Sequence, residues 1–448
     1  MTMPQSVAGH GRDYAFSTDK IADIVLARRF GWRWWSSSVM ALLLVVMLLI
    51  ASGYLFFEGP GVWGINIPVA WGYAITNYVW WIDITMGSAF ISAALLLARQ
   101  PWGAAIGRTA ESMTLAAGAA AGVFPILHLG RAYFFYWLLP YPDSMNLWPQ
   151  WRSSLVWDFY GLASFLAVAI LFFYVRLLPD LATLRDRARH PWVKVLYGLI
   201  ALGWRGEARD WSRHARLVLI LAGVLLVLVV FGHSMVAFDF SEALLPGWHS
   251  TLFPPYFVTG AVDSGVCALL CVLIPMRRNF DIKDFITSYH LDNLAKLALM
   301  MCQFITYEYL AEIFTSYYSG DVYEIALIEH RFFGLYSPLY WIAIACISIV
   351  PQLLWFPALR RRPLPLFVIA ALVVAGMWVE RFMLIVTSLY QGFLPSDWGY
   401  FIPTEWDWIH LIGSMGIFAF MFLLFIRLLP AISISDMRRV PSAEKLQS

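Results

Sequence analysis

Charge is scarce in this chain. Lys, Arg, Asp and Glu make up 13% of its 448 residues against 60% apolar ones, a balance that excludes a soluble domain of this length and makes the bilayer its solvent. The 31 basic and 29 acidic residues nearly cancel to a net charge of +2, so no global field draws the chain to nucleic acid. Cysteine is rare too. Cys267, Cys271, Cys302 and Cys346 each lie inside an apolar run, which excludes a disulfide framework, a C-x-x-C-H haem attachment and an iron–sulfur ligand run. The chain is therefore expected to carry no covalent haem and no cluster of its own. Residues 1–33 are polar, with Arg12, Asp13, Lys20, Arg28 and Arg29. The apolar run that follows is longer than a signal-peptide core and lacks a cleavage pattern, so this stretch reads as a retained cytoplasmic arm.

What is abundant is apolar sequence in span-length pieces. A membrane-crossing helix needs about 20 such residues to cover about 30 Å, and ten runs qualify: about 34–57, 76–98, 104–137, 153–178, 213–240, 256–276, 290–316, 335–357, 364–390 and 408–429. The fold class that follows is all-α integral membrane. An even count puts both termini on one side. Basic residues cluster after the even-numbered runs, at Arg99 and Arg108, at Arg185, Arg187, Arg189, Lys194 and Arg205, at Arg277, Arg278 and Lys283, at Arg360 to Arg362, and at Arg438 and Arg439. The other loops carry little beyond Arg152 and Arg331. By the positive-inside rule both termini are cytoplasmic, in a bacterial-type inner membrane. Residues 34–240 then hold helices 1–5, 241–430 hold helices 6–10, and 431–448 form a cytoplasmic tail. Within the charged stretch 179–212, residues 196–203 are apolar but too short to span, which suits an interfacial helix.

The opposite loops are rich in Trp, Tyr and Pro, as at 61–71 and 398–403; an interfacial aromatic belt and a surface covered by another subunit both fit. Run 2 contains Asp83-Ile-Thr-Met-Gly-Ser-Ala-Phe and run 6 contains Asp263-Ser-Gly-Val-Cys-Ala-Leu-Leu. In each an Asp is followed by small residues that permit close helix contact. Unless this echo is chance, it implies two parallel four-helix bundles, helices 2–5 and 6–9, with helices 1 and 10 peripheral.

An ionisable residue in hydrocarbon costs at least about 2.5–3.5 kcal/mol, so each one needs a partner, water or a task. His128 and Arg131 in run 3, Asp158 in run 4, and His233 and Asp239 in run 5 converge just inside the periplasmic interface. On one helix, His128 and Arg131 lie a turn apart and can face one cavity. An Asp opposite the His would fix its tautomer, and the pair could exchange a proton while binding a ligand oxygen. His128, Asp158 and Asp239 are thus the candidate catalytic residues, with Arg131 and His233 completing the substrate-binding set. A satisfied interhelical polar pair is the alternative. A sparser set, Asp83, Glu111, Asp263 and Lys296, is a candidate proton path, although Lys296 could instead snorkel to the near interface. Glu380 and Arg381 point about 100° apart and suit pairing with other helices. His128, His233 and His410 lie at one end and His290 alone at the other, a poor arrangement for two transmembrane haems.

Several long strings, Gly61-Val-Trp-Gly-Ile-Asn-Ile-Pro-Val-Ala-Trp-Gly72, Phe124-Pro-Ile-Leu-His-Leu-Gly-Arg131, Tyr136-Trp-Leu-Leu-Pro-Tyr-Pro142, Val156-Trp-Asp158, the Leu178-Pro-Asp run to Arg187, and His233-Ser-Met-Val-Ala-Phe-Asp239, resemble the NrfD-like membrane subunits of polysulfide-reductase-type complexes. Within that family they look most like the quinol-oxidising NrfD-like subunit of bacterial alternative complex III. The resemblance implies ten helices in two four-helix bundles and a quinol or menaquinol pocket near the periplasmic face, with His128, Asp158 and Asp239 as its polar residues. It also implies a periplasmic iron–sulfur subunit that takes the electrons, a second NrfD-like membrane subunit and a multihaem cytochrome c, with clusters and haem in those partners. One departure stands out: Trp81-Ile-Asp-Ile-Thr-Met-Gly87 replaces an expected glycine-and-histidine run in helix 2, which puts the family's proton route there in question. Three functions compete. They are a quinol-oxidising subunit with a possible link to proton translocation, a quinone-linked anchor of a molybdopterin oxidoreductase, and a proton-coupled transporter. The last predicts discontinuous helices at the midplane.

Overall fold

The computed structural model describes residues 14–28, 30–138 and 150–439; Arg12, Asp13, Arg29 and the last four residues of the string ending at Pro142 lie outside them. Among the described residues, ten helices are long and apolar enough to cross a membrane. They are α1 (Trp32–Glu58), α2 (Tyr73–Leu97), α3 (Gly103–His128), α4 (Ser154–Arg187), α5 (Ala208–Ser241), α6 (Phe253–Asn279), α7 (Ser288–Ser319), α8 (Ser337–Trp355), α9 (Pro363–Leu389) and α10 (Glu405–Leu428). Each coincides with one of the ten apolar runs, and no strand occurs among the described residues. The chain is a multi-pass membrane protein. Its even number of spans puts the described ends on one side, the terminal face, and leaves a distal face opposite.

The spans form two rings. Helices α2, α3, α4 and α5 pack in cyclic order, as do α6, α7, α8 and α9. The rings join where α2 crosses α6, and the small residues noted in the sequence make that crossing. A Cβ on Gly87 would sit 1.9 Å from the Ala261 carbonyl oxygen, and one on Gly265 would sit 2.3 Å from the Gly87 carbonyl carbon. Only glycine lets the two backbones approach so closely. Helix α10 packs on α1 and α3, outside both rings.

Two spans are interrupted. Pro125 has no N–H for the Ala121 carbonyl, and α3 breaks at Gly122 between Gly103–Ala121 and Val123–His128. Helix α8 is α-helical only to Ile344, then passes through a π turn, Ala345–Ile349, into a 3-10 turn, Val350–Trp355, that contains Pro351. The third run was expected to stay helical to residue 137. It ends at His128, because Gly130 turns the chain at φ +74° and the next helical piece is the 3-10 segment Ala132–Leu138.

The described parts of the arm and tail are more structured than their polar sequence suggests. Tyr14–Leu26 is a helix with Ile21, Ala22 and Val25 buried, and Arg438 Nε donates to Thr18 Oγ1 at 3.0 Å. Residues 434 and 435 donate their backbone N–H groups to Asp180 at 3.2 and 2.9 Å. That carboxylate caps the short helix Ile434–Met437 and holds it against α4. In the charged stretch, α4 runs on to Arg187 and is followed by the short helix Pro191–Ile200. On the distal face the two aromatic loops pack on each other. Asn66 Nδ2 donates to the Tyr400 carbonyl at 2.8 Å and Thr404 Oγ1 to the Val62 carbonyl at 2.9 Å.

Candidate functional site

Four elements meet at the distal end of the first ring. Helix α4 starts at Ser154, so Asp158 lies one turn inside the membrane-facing body of the protein and is buried. Across from it, Tyr78 of α2 donates its hydroxyl to Asp158 Oδ2 at 2.8 Å. Asp239, two residues before the end of α5, lies within electrostatic reach of both and is hydrogen-bonded by Ser154. Asp158 Oδ1 and Asp239 Oδ1 are buried and have no hydrogen-bond partner among the described residues, which is costly in a site of low polarity unless a ligand or water supplies a donor. The fourth contributor is His128, at the end of α3. Its ring lies 6.3 Å, centroid to centroid, from Trp71, which in turn packs on Phe240 and Trp248 at 5.7 and 5.6 Å. Two acceptor oxygens and a phenol thus lie together, and Phe240, next in sequence to Asp239, connects them through Trp71 to the imidazole of His128. That combination suits a planar aromatic ligand with exchangeable hydroxyl protons.

The structure divides the sequence-derived residues differently from the expectation. Arg131 is exposed and follows the Gly130 turn, so it does not lie one turn along the same helix as His128. Asp158 has Tyr78, not His128, as its hydrogen-bond partner. His233 turns away from Asp158 and Asp239 toward Asp83, with Nε2 2.8 Å from Asp83 Oδ1 although not aligned for a hydrogen bond. Asp83 also accepts from Arg381 Nε at 2.8 Å. From there Arg381 Nη1 lies 3.1 Å from Glu380 Oε2, and Tyr256 donates to Glu380 Oε1. A buried polar chain thus crosses from α5 through α2 to α9 and α6. It borders a narrow cavity of about 30 Å³ in the second ring, with Glu308, Glu312 and Arg331 on its walls, enough for one or two waters.

Glu111 and Lys296 do not join that chain. Glu111 is held by Arg176 and by Ser92 Oγ at 2.7 Å. Arg176 also donates to Asp436 at 2.5 Å, and Arg108 to Asp180 at 3.0 Å. These five charges form a cluster near the terminal face that fastens the C-terminal segment. Burial works against a charged Asp436, but Arg176, with Arg108, holds its carboxyl below the ordinary carboxylate value. Lys296 is 53% exposed and paired with Asp292 at 2.6 Å. It snorkels, as its long stem allows, and is not the desolvated lysine a proton path needs. Asp263 is fully buried, with Oδ2 unpartnered and Cys267 Sγ 3.8 Å away. Tyr78 escaped the sequence reading because one Tyr in an aromatic-rich helix carries no signal of its own. Arg176 escaped because it sits near the terminal-face end of a long run, where a basic residue is ordinary.

Residues 61–392 match the family described as polysulphide reductase, NrfD. The chain belongs to the NrfD family. The matched stretch begins in the loop before α2 and ends just past α9, so it contains both rings and leaves α1 and α10 outside. The NrfD part is therefore the double ring with its distal site. A second similarity runs over 394 residues at 24% identity, covering 82% of this chain and 84% of the relative, a protein of Halobacterium salinarum described as a putative dimethyl sulfoxide reductase membrane subunit. NrfD-like membrane subunits belong to redox enzyme complexes, and quinone is the mobile substrate of such subunits.

Proposed function

We propose that this NrfD subunit binds a quinol or quinone at the distal end of the first ring and exchanges its protons there, while the electrons pass to or from a partner's iron–sulfur cluster. The observation that carries the reading is the pair of buried, unpartnered carboxylate oxygens of Asp158 and Asp239 beside the Tyr78 hydroxyl. Quinol oxidation releases two protons and two electrons to give quinone. Asp158 accepts the first hydroxyl proton, and Asp239 or His128 the second. Trp71, Phe240 and Trp248 hold the ring. Arg131, exposed at the rim, is left the role of guiding the head group.

The name of the haloarchaeal relative favours a quinone-linked anchor of a molybdopterin oxidoreductase over an alternative complex III subunit, which the sequence strings suggested first. In the anchor, electrons run from quinol through an iron–sulfur subunit to the molybdenum enzyme. In the other assembly, partners would include a second NrfD-like subunit and a multihaem cytochrome c. Asp83 and Asp263 remain candidates for a proton route, fed through His233, whereas Glu111 is engaged by Arg176. The basic loops support cytoplasmic termini in a bacterial-type inner membrane, and with that orientation the proposed quinol site is periplasmic. Purification of the chain with its partners in mild detergent tests the assignment. A molybdopterin subunit is expected; a multihaem cytochrome would favour the alternative complex, and neither with a chain that binds no quinone would overturn both.

A further inference from the structure

A cleft of about 590 Å³ opens at the terminal face between the start of α1, the end of α6 and the start of α9. Its polar wall carries Arg33, Arg277, Arg278 and Lys283, its apolar wall Leu364 and Phe367, and among the described residues no carboxylate lines it. Arg277 is partly engaged, with Nε donating to the Ile286 carbonyl at 2.6 Å. Arg33, Arg278 and Lys283 have no carboxylate partner among the described residues. Other cations on this face do: Lys20 meets Asp284 at 2.8 Å and Arg360 meets Asp292 at 2.6 Å. Asp284, the acid beside Lys283, is therefore taken. The cleft thus gathers like charges from the start of α1, the end of α6 and the loop after α6, whose mutual repulsion a bound anion would relieve.

Depth and shape identify the anion. The cations sit at the ends of membrane-crossing helices, the level of lipid phosphates, and the apolar wall continues along α9 and α1, whose span is mostly uncovered by protein. Leu364 is 73% exposed. We infer that this cleft binds the phosphodiester head group of an anionic glycerophospholipid, with its acyl chains laid along α1 and α9. A basic pocket between spans on the positively charged side is a site of this kind.

Native mass spectrometry of the full chain, taken from vesicles of equal phosphatidylcholine and phosphatidylglycerol, tests the site. Phosphatidylglycerol should be retained preferentially. Arg278→Gln with Lys283→Gln should weaken its retention about fivefold for each cation removed, with phosphatidylcholine retention unchanged. Arg99→Gln with Arg439→Gln, in a different cleft of this face, should leave it unchanged. Equal loss in both double variants would reduce the effect to general surface charge and overturn the site. Displacement of the lipid by millimolar inorganic phosphate would assign the cleft to a free anion and overturn the lipid. If the double variant does not elute as a single folded species, Lys283→Gln alone carries the test; this loop residue is exposed, and retention equal to the parent would overturn the proposal.

Discussion

Asp83 of the first ring and Arg381 of the second meet at 2.8 Å with both side chains fully buried. Gly260 makes the space: a Cβ there would lie 2.5 Å from Arg381 Nη2. The pair sits beside the glycine crossing of α2 and α6, so the two rings are joined by backbone contact and by charge at one place. Removing one partner of a buried ion pair strands the other, at a cost of about 3–5 kcal/mol. Arg381→Met should therefore destabilise the chain by roughly that much, leaving Asp83 with only an unaligned His233. Asp83→Asn with Arg381→Met should recover a large part of the loss. Unfolding in mixed micelles of the parent, single and double variants measures both.

The crossing itself gives a steric prediction. Gly87→Ala and Gly265→Ala would each push a methyl into backbone, which cannot swing aside as a side chain can. Each should cost at least the roughly 1–3 kcal/mol of an overpacked core, read as loss of monodisperse protein on gel filtration. An equal yield from Gly223→Ala, where a Cβ meets nothing within 4 Å, is the control.

Acid should loosen the C-terminal segment. Asp436 has its carboxyl held below the usual value by Arg176 and Arg108 against the effect of burial. A lowered folded-state value means that the stabilisation is present above the ordinary Asp value of about 3.9 and is lost as pH falls through the folded one. Proteolysis after residue 430 should accordingly be slow at pH 7 and accelerate below about pH 4, whereas Asp436→Asn should show faster cleavage at both.

Orientation is open to labelling. Single cysteines at Arg361, whose side chain is 65% exposed, and at Trp398, 46% exposed, lie on opposite faces. In intact bacterial cells with a permeable outer membrane, an impermeant maleimide should react only at 398. Reaction at 361 alone would invert the topology and move the quinol site to the cytoplasmic side.

The spans were legible because hydrocarbon imposes one length and one composition, so all ten runs reappear as helices. The echo of Asp83 and Asp263 was legible as well, since small residues within one turn after each Asp are what a close helix crossing requires. Partner choice was not. An ionisable residue in an apolar run announces that it needs a partner without saying on which helix. Asp158 finds Tyr78 and His233 finds Asp83 only once the helices have rotated into place. The end of α3 was hidden for a local reason: a glycine in an apolar run reads as tolerated helix until its positive φ is seen.

The most direct measurement is the quinol oxidation rate of the assembled complex carrying Asp158→Asn, with Tyr78→Phe and His128→Ala beside it. A hydrogen bond to a charged, buried carboxylate is worth about 1.5–3 kcal/mol, roughly ten- to a hundredfold in rate. Asp158→Asn should therefore lower kcat/KM for quinol by at least about tenfold while the partners still copurify. Tyr78→Phe should lower it less and non-additively with Asp158→Asn, because both act on one carboxylate. Asp263→Asn, in the other ring, should leave quinol affinity near the parent's. An assembled Asp158→Asn complex that oxidises quinol at the parent rate would contradict the account and leave the distal carboxylates as a structural pair.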